Sequence, residues 1–183
     1  MKPISKFTSH SGKEIEIYLP TLEKTSELLE FINRLTKEDT FLSLTGKPKT
    51  YTEEENWIKN TILNMKAGRS FACLAVFDGK IIGSSDVNRG GTRDWHVGTV
   101  GLMVDEDFRR DGLGRFLLEY VLEKSKEMGI KIAILRVFSD NEIAKKLYQK
   151  LGFKEYGNLP NGLYRKDKYS DNIEMYKEIT NNY

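Results

Sequence analysis

Cysteine, histidine and long apolar runs are what this chain has least of. Cys73 is the single cysteine, so no intrachain disulfide can form. His10 and His96 are the two histidines, and neither has the neighbours of a metal cluster, so no metal is expected. The longest apolar run, FACLAVF from Phe71 to Phe77, is far too short to span a bilayer, and the opening MKPISKFTSHSGKEIEIYLP holds no signal-like apolar stretch. An excess of one charge is missing too. The 29 basic and 27 acidic residues are spread along the chain, leave a net charge of +2, and form no basic stripe suited to a nucleic acid. These absences predict a soluble, cytoplasmic protein with neither nucleic acid nor membrane as partner.

What is present suits one globular domain: 183 residues, 39% of them hydrophobic, with no internal repeat or linker. KEIEIYL alternates like a strand, and Thr21 after Pro20 is placed to cap a helix carrying Leu22, Leu28, Leu29, Phe31, Ile32 and Leu35 on one face. A loop is expected from about Lys37 to Tyr51. Thr52 and Glu55 form a capping-box pattern for a second helix that holds Trp57, Ile58, Ile62 and Met65 and stops at Gly68. SFACLAVF, the turn Asp78-Gly79 and KIIGSSDV read as a hairpin, followed by the loop NRGGTRD and the strand HVGTVGLMV. A helix with Leu113, Phe116, Leu117, Tyr120, Val121 and Met128 on one face ends at Gly129. KIAILRVF has almost no polar break, as in a strand covered on both faces. A short helix then turns Ile143, Ala144, Leu147 and Leu151 inward, and FKEYG and NIEMYKEI supply the last strands. The expected fold is α+β, with a mixed central sheet flanked by helices.

The strand that ends near Val104 runs through Gly112 and Gly114 into the next helix. A glycine-rich turn feeding a helix N-terminus makes a nest of backbone N–H groups that binds phosphate, and Arg109, Arg110 and Arg115 add positive charge around it. A plain strand-to-helix turn uses the same residues, so the two glycines alone leave both readings open. A dinucleotide-binding loop would need glycine at Leu117, and a Walker A loop would need lysine and then serine or threonine after its last glycine; neither is present.

The pattern Arg109-x-x-Gly112-x-Gly114 resembles the R/Q-x-x-G-x-G/A signature of the GNAT superfamily of N-acetyltransferases. NEIAKKLYQKLGF, from Asn141 to Phe153, is similar to that family's N-x-x-A-x-x-x-Y-x-x-x-G-F segment, and the order of elements follows the family from about Glu14 to Glu178. The resemblance implies the GNAT fold over the single domain 1–183, mostly antiparallel, with two splayed parallel strands in the middle. It implies acetyl-CoA as cosubstrate. The backbone of Arg110, Asp111, Gly112, Leu113, Gly114 and Arg115 would hold the pyrophosphate beside Arg109, the backbone from Leu102 through Met103 to Val104 would pair with pantetheine, and Asn141 would touch the thioester end. Gly98 and Gly101 inside one strand independently fit a bulge or a close backbone approach, and glycines merely tolerated in the packing are the alternative.

Amide formation needs a neutral amine, and an alkyl amine with pKa near 10.4 is almost wholly charged at pH 7. The departing thiolate needs a proton, and the resemblance gives Tyr148 the part of general acid. A helical aromatic packed in the core explains the same residue. Many relatives carry a basic glutamate where Thr99 stands here; His96 at the start of that strand has a suitable intrinsic pKa, and a strand-edge histidine or a water chain is an equal alternative. Cys73 in mid-strand reads as a core residue rather than an acyl carrier. Glu53, Glu54 and Glu55 suit a cationic amine, but the helix dipole and the capping box account for them. The expected activity is acetyl transfer to a primary amine, on a small molecule, an amino acid or a protein N-terminus, by direct attack in a ternary complex. The alternative is a non-catalytic acyl-CoA-binding regulatory module. Edge strands in the family pair between subunits, which makes a homodimer compatible with the resemblance.

Overall fold

The computed structural model describes residues 2–38, 41 and 47–179. In chain order its elements are β1 (Ser5–Thr8), β2 (Glu14–Tyr18), α1 (Thr25–Glu38), α2 (Tyr51–Lys66), β3 (Ser70–Phe77), β4 (Lys80–Arg89) and β5 (Val97–Val104). There follow α3 (Leu113–Glu127), β6 (Ile132–Phe138), α4 (Glu142–Lys150), β7 (Lys154–Arg165) and β8 (Lys168–Glu178). The eight strands form one sheet in the order β1-β2-β3-β4-β5-β6-β8-β7. Every neighbouring pair is antiparallel save β5 and β6, whose parallel pairing requires the long crossover through α3.

Apolar strands covered on both faces separate two cores. In β3, Cys73 and Ala75 point into one, with Leu117, Leu118 and Val121 of α3 and with Tyr148 and Leu151 around α4. Leu74 and Val76 point into the other, against Leu28, Phe31, Ile32 and Leu35 of α1 and Ile58 of α2. The period-2 alternation of a strand makes one run of apolar residues serve both layers. Among the described residues no helix is long and apolar enough to cross a membrane.

Four local expectations are corrected. Thr21 makes no side-chain cap; a single 3-10 turn, Leu22–Lys24, intervenes with Leu22 exposed, and Thr25 begins α1 with its hydroxyl donating to the Leu22 carbonyl at 2.6 Å. The capping box of α2 is Thr50 with Glu53, two residues ahead of Thr52 and Glu55. Both pairs fit the pattern, but Asn33 of α1 clamps the Lys49 backbone through its amide and carbonyl (2.7 and 3.1 Å) and so fixes the extended chain that precedes Thr50. Ile143 is 56% exposed, because Ala144, Leu147, Tyr148 and Leu151 already form the inward face of α4 and Ile143 lies off it. The last two strands are a long hairpin in which breaks in register after Glu155 and Leu159 absorb Tyr156 and the Pro160-Asn161-Gly162 segment. β1, polar and short, pairs on the edge of β2 and had no sequence signal. Of the expected loop at 37–51, residues 39–40 and 42–46 lie outside the described residues.

Candidate active site

The parallel strands touch only briefly. Val97, Gly98 and Thr99 of β5 are in register with Ile132, Ala133 and Ile134 of β6, after which β5 continues to Val104 beside β4 while β6 continues to Phe138 beside β8. A cleft therefore opens between them beyond Thr99. The Val97 carbonyl accepts from the Gly90 amide on the β4 side. Strand alternation then turns the backbone groups of Gly98, Val100, Leu102 and Val104 toward β6. Those of Val100 and Leu102 have no β6 residue in register, and the Val104 carbonyl accepts from Arg109 Nε at 2.9 Å.

No bulge interrupts β5; Gly83 through Arg89 pair continuously with Val104 through Gly98. The glycines instead serve close approach. A Cβ on Gly98 would lie 2.7 Å from Val87 and 2.8 Å from Ile130, and one on Gly101 would lie 2.5 Å from Asp86 Oδ1.

At the mouth of the cleft, Gly112 is the N-cap of α3 with φ 89°, in the left-handed region, and it provides no side-chain cap. The first-turn amides of α3 are thus left to another acceptor, at the positive end of the helix dipole. A Cβ on Gly114 would make only ordinary contacts, at 3.6 Å from Leu102 and Val104, so the fold itself does not demand glycine there.

The charged residues of the loop are arranged differently from a ring of phosphate ligands. Arg109 forms a bidentate pair with Glu38 of α1, with Nη2 at 2.8 Å from Oε2, and ties that helix to the end of β5. Asp111 turns away: its carboxylate accepts from the Ser11 amide at 2.8 Å and the Ser11 hydroxyl at 2.6 Å, with Lys13 Nζ 3.7 Å off. The serine hydroxyls and these neighbours hold its carboxyl down at about 2. The His10 amide also donates to the Asp111 carbonyl, so the loop is pinned to the turn between β1 and β2. Arg110 is exposed at φ 61°, and Arg115 pairs with Glu119 along α3 at 3.0 Å. Leu113 is wholly buried, and Met103 packs on the α1 side of the sheet.

Across the cleft, Asn141 follows β6 and caps α4, its Oδ1 accepting from the Ala144 amide at 3.1 Å. Tyr148 of α4 is 9% exposed, its ring edge-on to Phe153, and its hydroxyl has no hydrogen-bond partner among the described residues. Burial pushes its phenol up to about 12. His96 sits in the turn before β5, at the closed end of the strands, with its carbonyl accepting from the Lys131 and Ile132 amides and its ring against Trp95. Cys73 is buried with its thiol pushed up to about 12 by desolvation, as suits a core residue. Of the three acids at the start of α2, Glu53 makes the cap, Glu55 pairs with Lys59 at 2.8 Å, and Glu54 is buried with its carboxyl raised by that burial.

One residue here escaped the sequence reading. Asp86 of β4 lies over Gly101, half-buried, with Asn88 Nδ2 donating to its Oδ2 at 2.6 Å. The signal was present in the glycine, whose missing side chain makes room for the carboxylate.

Known proteins share this architecture. The model of the Acetyltransferase (GNAT) family matches residues 29–153, well over half of the chain. A 54-residue stretch, 30% of this chain, is 41% identical to the [ribosomal protein bS18]-alanine N-acetyltransferase of Escherichia coli K12 and covers 36% of that protein. The chain thus aligns with about a third of the length of such curated relatives. Among solved structures, a GNAT-family acetyltransferase from Streptococcus pneumoniae superposes with TM-score 0.82 at 29% identity, covering 91% of this chain and 99% of the other. An acetyltransferase from Salmonella typhimurium, solved with its cofactor acetyl-CoA, has TM-score 0.80 at 15% identity over 92% and 96% of the two chains. On the family match and the splayed-strand architecture together, this chain belongs to the GNAT acetyltransferase family.

Proposed function

We propose that this protein is an acetyl-CoA-dependent N-acetyltransferase that moves an acetyl group to a primary amine by direct attack in a ternary complex. The observation that carries the reading is the cleft beyond Thr99, which runs from a β5 edge with no β6 partner to an uncapped helix N-terminus. Both ends fit the group. The Leu102 backbone and its neighbours suit an extended amide-bearing arm, and the first-turn amides of α3, with Gly112 and Gly114 bare, suit a pyrophosphate. When bound, acetyl-CoA supplies an acetyl carbonyl activated as a thioester.

The residues of this chain do the rest. Backbone N–H groups along β5 orient that carbonyl and stabilise the negative charge that develops on its oxygen. Arg109, by joining Glu38 to the Val104 carbonyl, holds the end of β5 against α1 and keeps the cleft open at a set width. Asp111 anchors the phosphate loop from behind, so the loop presents amides rather than its carboxylate. Tyr148 donates its hydroxyl proton toward the leaving sulfur, and Asn141 places that tyrosine's helix at the thioester end.

The acceptor is an amine of a small molecule, an amino acid or a protein N-terminus; the likeness to alanine N-acetyltransferases supports an α-amino group. An α-amine with pKa near 8 is neutral in about one molecule in ten at pH 7, so it needs less help from a base than an alkyl amine does. Thr99, in place of a carboxylate, favours a second reading as an acyl-CoA-binding module without turnover. Thiol release from acetyl-CoA, with pooled polyamines, amino acids, aminoglycosides and short N-terminal peptides as acceptors, separates the two. Acceptor-dependent release establishes the transferase, and tight CoA binding with silence from every pool establishes the module.

A further inference from the structure

The geometry points to the Asp86 carboxylate, set over Gly101 where β5 parts from β6, as the general base that takes the proton of the acceptor amine. The assignment rests on the acetyltransferase reading and supplies the base that reading lacks. Asp86 is in register with Gly101, two residues past Thr99, the last β5 residue paired with β6. The 2.5 Å between Asp86 Oδ1 and a Cβ at Gly101 puts the carboxylate flat against the β5 backbone, at the point where the cleft opens.

The face is the appropriate one. Gly83 and Val87 of β4 pack toward α3, whereas Asp86 alternates with them and lies on the α1 and α2 side. Leu102 and Val104 flank Gly114 at the start of α3, so a ligand held by that helix reaches the strands from the α3 side and leaves the Asp86 side to the acceptor.

The surroundings suit a base. Asn88 holds one carboxylate oxygen, and among the described residues Asp86 forms no ion pair that would quench it. The titratable group within its electrostatic reach on β3 is the neutral Cys73 thiol; Thr99, Gly101 and Met103 bring none from β5. Of the helices on this face, α1 has Arg34 tied to Asp105 and the Ile81 carbonyl, and α2 has the buried Glu54. Desolvation raises the Asp86 carboxyl to about 6, close to the pH at which a base works best. His96, the sequence candidate, lies at the closed end of the strands, and Thr99 cannot accept a proton at neutral pH.

The step balances. The carboxylate takes one proton from the acceptor ammonium, and the freed nitrogen lone pair forms the C–N bond to the thioester carbonyl carbon. The C–S bond breaks, its electrons leave on sulfur, and sulfur gains the second nitrogen proton by way of Tyr148. Asp86 then releases its proton to solvent, and nothing is oxidised or reduced.

The test is Asp86→Asn, assayed by thiol release from pH 5 to 10 with an acceptor that the wild type uses, with CoA affinity measured by calorimetry. The expected result is a kcat about 10² to 10⁴-fold lower at pH 7 with CoA affinity unchanged. The wild-type rate should show a pKa near 6 that the variant lacks, and the variant should gain about tenfold per pH unit up to the pKa of the amine. Carbon NMR of the protein labelled at aspartate carboxyls, without acetyl-CoA, should show one resonance titrating near 6 that is missing from the variant. Should Asp86→Asn not fold, Gly101→Ala displaces the carboxylate without removing it and should show the same pH signature. An unchanged kcat, or a drop equal at every pH, overturns the assignment. A wild type that binds CoA yet acetylates no acceptor overturns the functional reading instead, and the role of Asp86 with it.

Discussion

Replacing Tyr148 with phenylalanine separates packing from chemistry at one atom. The ring is buried in the core around α3 and α4, and phenylalanine keeps it. The hydroxyl has no partner among the described residues, yet it is not one of the buried polar atoms left unsatisfied there, which are Thr21 Oγ1, Ser70 Oγ, Ser84 Oγ and Asn172 Oδ1. Removing it should therefore leave Tm close to that of the wild type, a change of about 1 kcal/mol being worth about 2 to 4 °C in a chain of this size. Catalysis should move the other way. With the phenol pushed up to about 12, complete proton transfer to a thiolate of pKa near 8.5 is uphill by about 5 kcal/mol. The hydroxyl therefore acts first as a donor to developing negative charge, worth about 1.5 to 3 kcal/mol, and the variant should lose at least about tenfold in kcat. Steady-state thiol release and a thermal melt on the same preparation measure both. A kcat within threefold of wild type would refute the acid role, and a large fall in Tm would show a hydroxyl that serves the fold.

Gly112→Ala forces a side chain into φ 89° and brings its Cβ to 3.0 Å from His10 Nε2 and 3.2 Å from Phe7 Cζ. It should cost about 1 to 3 kcal/mol, lower Tm by several degrees and weaken CoA binding measured by calorimetry. Thr50→Ala removes the α2 cap and should destabilise by about 1 kcal/mol in a denaturant melt, whereas Thr52→Ala, at the second residue of α2 and outside the capping pair, should change little. The Asp111 carboxyl is lowered in the folded state, so the stability it contributes is present above its ordinary pKa near 4 and is lost as pH falls through about 2. The Ser11 amide proton, which it holds at 2.8 Å, should report that midpoint by NMR; a midpoint near 4 would mean the anchor is not formed.

By itself the sequence determined the elements whose cause is local. Period-2 and period-3.6 patterns placed β3, β4, β5, β6, α1 and α3, because burying one face or both leaves its imprint on every turn or alternate residue. The glycine-rich turn at Gly112 and Gly114 was legible as well, as the entry to a helix, whereas the left-handed N-cap at Gly112 and the side-chain N-cap that Asn141 gives α4 came only with the structure. Tertiary structure decided whatever depends on residues far apart. Two capping boxes were written two residues apart, and Asn33, sixteen residues away from Lys49, selected the first. Arg109 reads as a phosphate ligand until Glu38 arrives from another helix, and Asp111 reads as part of the loop until Ser11 captures it. Asp86 carries no motif of its own. Only strand register sets it across from Gly101, and only the divergence of β5 from β6 beside that glycine gives its carboxylate somewhere to act.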